Sequence, residues 1–209
     1  MKEAVPQLDL LVIAGEESSD RIAGDAMRAL LRQDPSLNIH ALGGAALESA
    51  GAELRFPLAQ GGIVGVAEVL GKLSFFLKAR RICLEILSRE RPKLVLLVDS
   101  PDFNLPIAKK ARALGIPVLY YVCPQVWAWR RTRVETLRRC CLKVLCIFPF
   151  EPAFLKSFGV EAEFVGHPLL ETKIPARRLA GKEISLGLLH IHRFLRSDEV
   201  KKISVVFLG

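Results

Sequence analysis

The sequence predicts a doubly wound parallel α/β sheet of the Rossmann-like type, and three observations carry that prediction. Apolar runs alternate with helical patterns along most of the chain, the βαβα rhythm that builds parallel sheets. The first run, Leu10-Leu11-Val12-Ile13-Ala14, is apolar without interruption, as in a strand covered on both faces. Gly115 and Gly159 fall where helix C-caps belong, each just ahead of the next apolar run.

The first strand is entered from Asp9 and leaves through Gly15-Glu16-Glu17-Ser18-Ser19-Asp20 into a helix expected over Ser19–Gln33. Ser18 or Ser19 can N-cap that helix, and free amides at its start would suit a phosphate. The carboxylates of Glu16 and Glu17 oppose this use unless they turn toward sugar hydroxyls or a basic residue. A strand at Asn38–Leu42 and a helix at Ala45–Ala50 follow, then a long helix at Val66–Arg89.

The next strand, Lys93–Val98, runs into Asp99-Ser100-Pro101-Asp102-Phe103-Asn104. Asp99 therefore stands at the carboxyl end of a central strand, where a general base belongs in such a fold. Asp102 is expected to cap the helix Asn104–Leu114, and Asn104 either meets a ligand or stabilises the turn.

After a strand at Pro117–Tyr121, the run Val122-Cys123-Pro124-Gln125-Val126-Trp127-Ala128-Trp129-Arg130 holds both tryptophans of the chain. They would point to opposite sides of an extended segment and lie about 160° apart on a helix. One core takes one of them, which leaves a rim tryptophan at a ligand-binding edge. A helix at Arg131–Arg139, a strand at Lys143–Ile147, a helix at Glu151–Ser157 and a strand at Glu163–Val165 complete the series.

Composition narrows the function. Half the residues are hydrophobic (51%) and a quarter charged (25%), a globular balance. No stretch reaches the roughly 20 apolar residues that cross a bilayer, and the N-terminus lacks the pattern of a secretory signal. A cytoplasmic protein is expected. The five cysteines form no CxxC pair, which argues against a disulfide framework and against zinc; Cys83 and Cys146 read as core residues. The formal charge of +8 is concentrated around Lys78-Arg80-Arg81 and around Arg130-Arg131-Arg133 with Arg138-Arg139-Lys143, favouring an anionic partner. Nucleic acid is disfavoured, because these residues lack interleaved aromatics or a known motif.

Between Gly62 and Arg81 the apolar residues Val66, Val69, Leu70, Leu73, Phe75 and Phe76 spread too widely for one core stripe. With flanking lysines and arginines they suggest a helix dipping into a membrane surface; an ordinary buried helix is the other reading.

Several separated blocks resemble lipid-A-disaccharide synthases, inverting glycosyltransferases of the two-domain GT-B type. They are Ala14-Gly15-Glu16 with Ser18 and Asp20; Gly43-Gly44; Gly65 to Leu70; Asp99 with Pro101-Asp102-Phe103-Asn104; Tyr121-Val122, Pro124 and Val126-Trp127-Ala128-Trp129-Arg130; Phe148-Pro149-Phe150-Glu151; and Phe164-Val165-Gly166-His167-Pro168. The resemblance implies transfer of 2,3-diacylglucosamine from UDP to 2,3-diacylglucosamine 1-phosphate, with no cofactor and no metal. It implies an acceptor-side domain over residues 1–170, working at the cytoplasmic face of the inner membrane. Asp99 is then the catalytic base and Glu16 its companion, with Ser18, Asn104, Trp127 and Arg130 meeting substrate.

Residues 171–209 read as a linker and the start of a truncated donor domain. A strand at Ile184–Leu189 is followed by His190-Ile191-His192-Arg193-Phe194-Leu195-Arg196, where the family has a Pro-Gly-Ser-Arg loop facing the donor phosphates. Arg196 falls at the loop arginine, but Phe194 and Leu195 replace the small residues that let amides approach a pyrophosphate. Two functions follow: a glycosyltransferase half that is inactive in this form, or a non-catalytic acceptor-lipid or membrane-binding module.

Overall fold

The computed structural model describes residues 7–61, 69–128 and 130–168. Seven strands pair in parallel throughout: β1 (Leu10–Ala14), β2 (Ile39–Leu42), β3 (Glu53–Phe56), β4 (Leu94–Val98), β5 (Val118–Tyr121), β6 (Lys143–Cys146) and β7 (Ala162–Phe164). Their order is β3-β2-β1-β4-β5-β6-β7, so the chain winds outward from β1 in one direction and from β4 in the other. The doubly wound sheet expected from the apolar rhythm is the one observed.

The strand period of two divides the core. Leu11 and Ile13 of β1 join one cluster and Leu10, Val12 and Ala14 the other. The second cluster is covered by α1 (Glu17–Gln33), through Ala23, Met27 and Leu30, and by α2 (Ala45–Ser49), through Leu47. The first takes Ala79 and Cys83 of α3 (Val69–Glu85), Ile107 and Ala111 of α4 (Pro101–Ala113), Leu137 of α5 (Thr132–Cys140) and Leu155 of α6 (Glu151–Lys156). Each fully buried Leu or Ile contributes ~1.5–3 kcal/mol relative to exposure, which is why unbroken apolar runs stabilise a sheet covered on both faces. Gly115 and Gly159 end α4 and α6 in left-handed backbone (φ 71° and 72°), as their spacing predicts.

Strand β3 is not foreseen by the sequence reading. Its Glu-Leu-Arg-Phe run holds two apolar residues, and a bulge sits beside it: Ala41 pairs with Leu54 but Leu42 pairs with Phe56. The skipped residue sends Leu54 to one core and Phe56 to the other, although their spacing would put them on one face, and a four-residue run with two apolar members is too short to stand out as a strand. Arg55, the skipped residue, instead meets Glu90 at 3.1 Å beside the buried His40.

Candidate active site at the sheet switch point

Strands β1 and β4 are neighbours whose connections depart in opposite directions, and a ligand crevice opens at the carboxyl ends of such a pair. The loops leaving them are in direct contact. A Cβ on Gly15 would lie 2.7 Å from the Ser100 hydroxyl, so glycine is what lets the β1 loop approach the β4 loop.

The β4 loop carries Asp99, half-buried at the strand's end, as expected for a base. Asp99 and Ser100 are both left-handed, with φ of 50° and 42°. Such backbone costs on the order of 1–3 kcal/mol per non-glycine residue and persists where the surroundings enforce it. Five described non-glycine residues have positive φ, and four of them (Asp99, Ser100, Val122 and Arg130) lie in the loops after β4 and β5. Strain gathers on the edge where function is expected. Burial lifts the Asp99 carboxyl above the ordinary aspartate range, while the Ser100 amide pulls it partly back.

Asn104 performs the second of its two expected tasks. It is fully buried on α4 and donates to the carbonyls of Val98 (3.1 Å) and Asp99 (2.7 Å), so it stabilises the turn. Asp102 departs from its expected role. Ser100 occupies the cap position, Pro101 opens the helix, and Asp102 on the first turn pairs with Arg130 (2.9 Å) and Arg133. This tie draws the β5 loop against α4.

The β1 loop also differs from expectation. The N-cap of α1 is Glu16, and Ser19 serves three residues later: its hydroxyl accepts the Glu16 amide at 3.0 Å and donates to the Glu16 carbonyl at 2.8 Å. Glu16, Glu17 and Ser18 are exposed, and Glu17 pairs with Arg21 one turn on. Asp20, buried, accepts the amides of Gly44 (2.7 Å), Ala46 (2.9 Å) and Leu47 (3.4 Å) at the start of α2.

In the β5 loop, Trp127 is half-buried and donates from Nε1 to Glu151 at 3.3 Å, edge-on to Phe150. Trp129 lies outside the described residues, as do Val66 and Arg196. Glu151 is buried and also accepts the Phe148 amide at 3.1 Å. Burial raises its carboxyl above the usual range, against the lowering effects of the Phe148 amide and Trp127. Folded Glu151 therefore binds its proton more tightly than an unfolded glutamate near pKa ~4.3. The stability it confers is fully present below that value and is lost as pH rises through its raised folded pKa. Glu151→Gln is expected to flatten the fall in unfolding free energy above about pH 4.3, as read by urea titration at several pH values; an unchanged slope rejects this.

Cys83 and Cys146 are core residues, as expected. Cys123 stands with Cys146 and Glu151, their ligating atoms within 4.8 Å of one another. Each has a protein partner: Pro124 carbonyl for Cys123, Val144 carbonyl for Cys146, Trp127 and Phe148 for Glu151. Hydrogen bonding with Cys146 and then burial hold the proton on Cys123, which makes it a packed thiol and a poor nucleophile.

On α3, Leu73 (59% exposed), Phe76 (37%) and Leu77 (55%) form an outward apolar face. Phe75 departs from the expected membrane set: its ring packs on Phe56 at 4.8 Å and joins the core. For Val69 and Leu70 the helix backbone is described. Among the described residues no helix is long and apolar enough to cross a membrane.

A seven-stranded parallel sheet with a strained carboxylate turn at its switch point defines a Rossmann-like α/β domain. Solved structures agree on the fold. A UDP-GlcNAc 2-epimerase from Neisseria meningitidis superposes with a TM-score of 0.53 at 12% identity, over 88% of this chain and 50% of that one. The enzyme of that name from Methanocaldococcus jannaschii gives 0.53 at 16% identity, over 93% and 51%.

The sequence comparisons are closer. The family described as lipid-A-disaccharide synthetase matches residues 10–197. Lipid-A-disaccharide synthase of Myxococcus xanthus (strain DK1622) is 43% identical over 162 residues, covering 78% of this chain and 42% of the relative. That of Pseudomonas putida (strain GB-1) is 37% identical over 208 residues, covering 97% and 55%. The chain belongs to the lipid-A-disaccharide synthetase family, and it spans about half the length of the curated relatives it matches.

Proposed function

We propose that this chain is the acceptor-side half of an inverting glycosyltransferase. The full enzyme transfers 2,3-diacylglucosamine from UDP to 2,3-diacylglucosamine 1-phosphate at the cytoplasmic face of the inner membrane. Residues 1–170 form the acceptor domain and 171–209 lead into the donor domain. The observation that supports this best is Asp99, half-buried in a strained turn at the switch point of a family member. Asp99 takes the proton of the attacking hydroxyl, the oxygen bonds to the sugar carbon, and UDP departs with the electron pair of the broken bond. Glu16 and Ser18, exposed on the facing loop, orient the acceptor. Trp127 and Arg130 form the β5 side of the site, with the Arg130–Asp102 pair fixing that loop.

The exposed face of α3 favours a second reading, a lipid-surface module, and one experiment addresses both. The purified chain is expected to sediment with anionic vesicles, more strongly when they carry the acceptor lipid, and to give no transfer when UDP-sugar is added. Leu73→Ser with Phe76→Ser should lower vesicle binding several-fold while leaving the fold intact, and high salt should weaken only the basic contribution. Sedimentation indifferent to the acceptor lipid leaves the membrane module alone standing. Failure to sediment at all overturns both readings.

A further inference from the structure

Tyr120 is the largest fully buried side chain of the described chain, placed within β5 where phenylalanine would fill the same space. Its hydroxyl donates to the Asp99 carbonyl at 2.6 Å. Asn104, from α4, donates to that same oxygen at 2.7 Å. Two side chains from two elements thus converge on one backbone atom.

That atom marks where the sheet stops. The Asp99 amide still bonds to the Tyr121 carbonyl at 2.9 Å, the last rung between β4 and β5. Beyond it the chain turns left-handed at Asp99 and again at Ser100. A carbonyl turned out of the ladder needs new donors if it is to stay buried, and Tyr120 and Asn104 supply them. Without those donors the turn can relax toward ordinary backbone, carrying the carboxyl toward water. The Asn104 side chain commits both protons to the turn, while its Oδ1 and the Ser100 hydroxyl, also buried, have no partner among the described residues.

We propose that Tyr120 and Asn104 are positioning residues that clamp the Asp99 carbonyl and thereby hold the Asp99 carboxyl half-buried at the mouth of the switch point. The inference deepens the reading of Asp99 as the base and rests on it for its catalytic meaning. Both act through the turn. Tyr120 stays a donor because burial, and next the neighbouring Asp99 charge, keep its hydroxyl protonated.

The test needs no turnover. The carboxyl of Asp99 is followed by carbon NMR through a pH titration of the whole chain and identified by its disappearance in Asp99→Asn. In the parent it is expected to titrate above the ordinary aspartate range. In Tyr120→Phe it should move back toward that range, with circular dichroism and the remaining carboxyl signals unchanged. Asn104→Ser, too short to reach both carbonyls, carries the same expectation if the phenylalanine variant does not fold. An Asp99 that titrates alike in the parent and in either folded variant overturns the clamp. An Asp99→Asn enzyme with full turnover would instead overturn the base assignment and leave the clamp standing, so the two failures are told apart.

Discussion

Asp99→Asn is expected to lower turnover by roughly 10²–10⁴-fold when this half is joined to the donor half of a full-length relative, the range for losing a general base. Asparagine keeps the size of the side chain and its fit in the left-handed turn, a conformation asparagine and aspartate both tolerate. What it removes is the charge and basicity that a proton-accepting carboxylate supplies. The attacking hydroxyl then keeps its proton as the new bond forms, and the barrier rises by about 3–5 kcal/mol at 1.36 kcal/mol per tenfold. Lifting the carboxyl by burial brings its basicity nearer to the working pH, which strengthens a general base. The measurement is release of UDP with saturating acceptor, compared at equal folded concentration. A variant within a few-fold of the parent would remove Asp99 from the role and return the site to Glu16, the other carboxylate of the paired loops.

The frame of this domain is legible because burial on both faces writes itself into β1 and β4 as unbroken apolar runs. Six of the seven observed strands stand within a residue or two of where those runs place them. The exception, β3, is a four-residue edge strand with only two apolar residues, too short a run to stand out. Asp99 is legible too, since a carboxylate directly after an apolar run can only sit at a strand's end. Its supports are less so. Tyr120 reads as one more large residue in a strand, although a tyrosine at a core position signals a hydroxyl that must find a partner. Asp102 resembles a cap because it precedes a helix, but Pro101 already starts that helix, and the partners Arg130 and Arg133 lie 28 and 31 residues away. Phe75 and Phe76 are neighbours in sequence, and a step of roughly 100° around the helix sends one ring into the core and the other outward.

Asp20→Ala is expected to destabilise the domain by about 3–4 kcal/mol, the largest effect on folding foreseen for a single polar side chain here. The sequence offers Asp20 and Gly43-Gly44 as separate motifs; the structure joins them. The carboxylate accepts three amides from the turn that opens α2, and a Cβ on Gly44 would lie 2.7 Å from its Oδ2. The glycines are therefore the space that a buried charge needs to reach the backbone. Alanine at 20 leaves those amides without an acceptor in a place water reaches poorly, at ~1–3 kcal/mol per group before relaxation. In a chain of this size such a loss lowers the thermal midpoint by roughly 6–16 °C. Asp20→Asn should cost less, because one side-chain oxygen remains to accept from Gly44. Gly44→Ala should approach the alanine variant, since the new methyl displaces the carboxylate. If the double variant Asp20→Ala, Gly44→Ala loses no more than either alone, both substitutions act on the same bonds; additive losses would mean that the carboxylate and the glycine stabilise the fold separately.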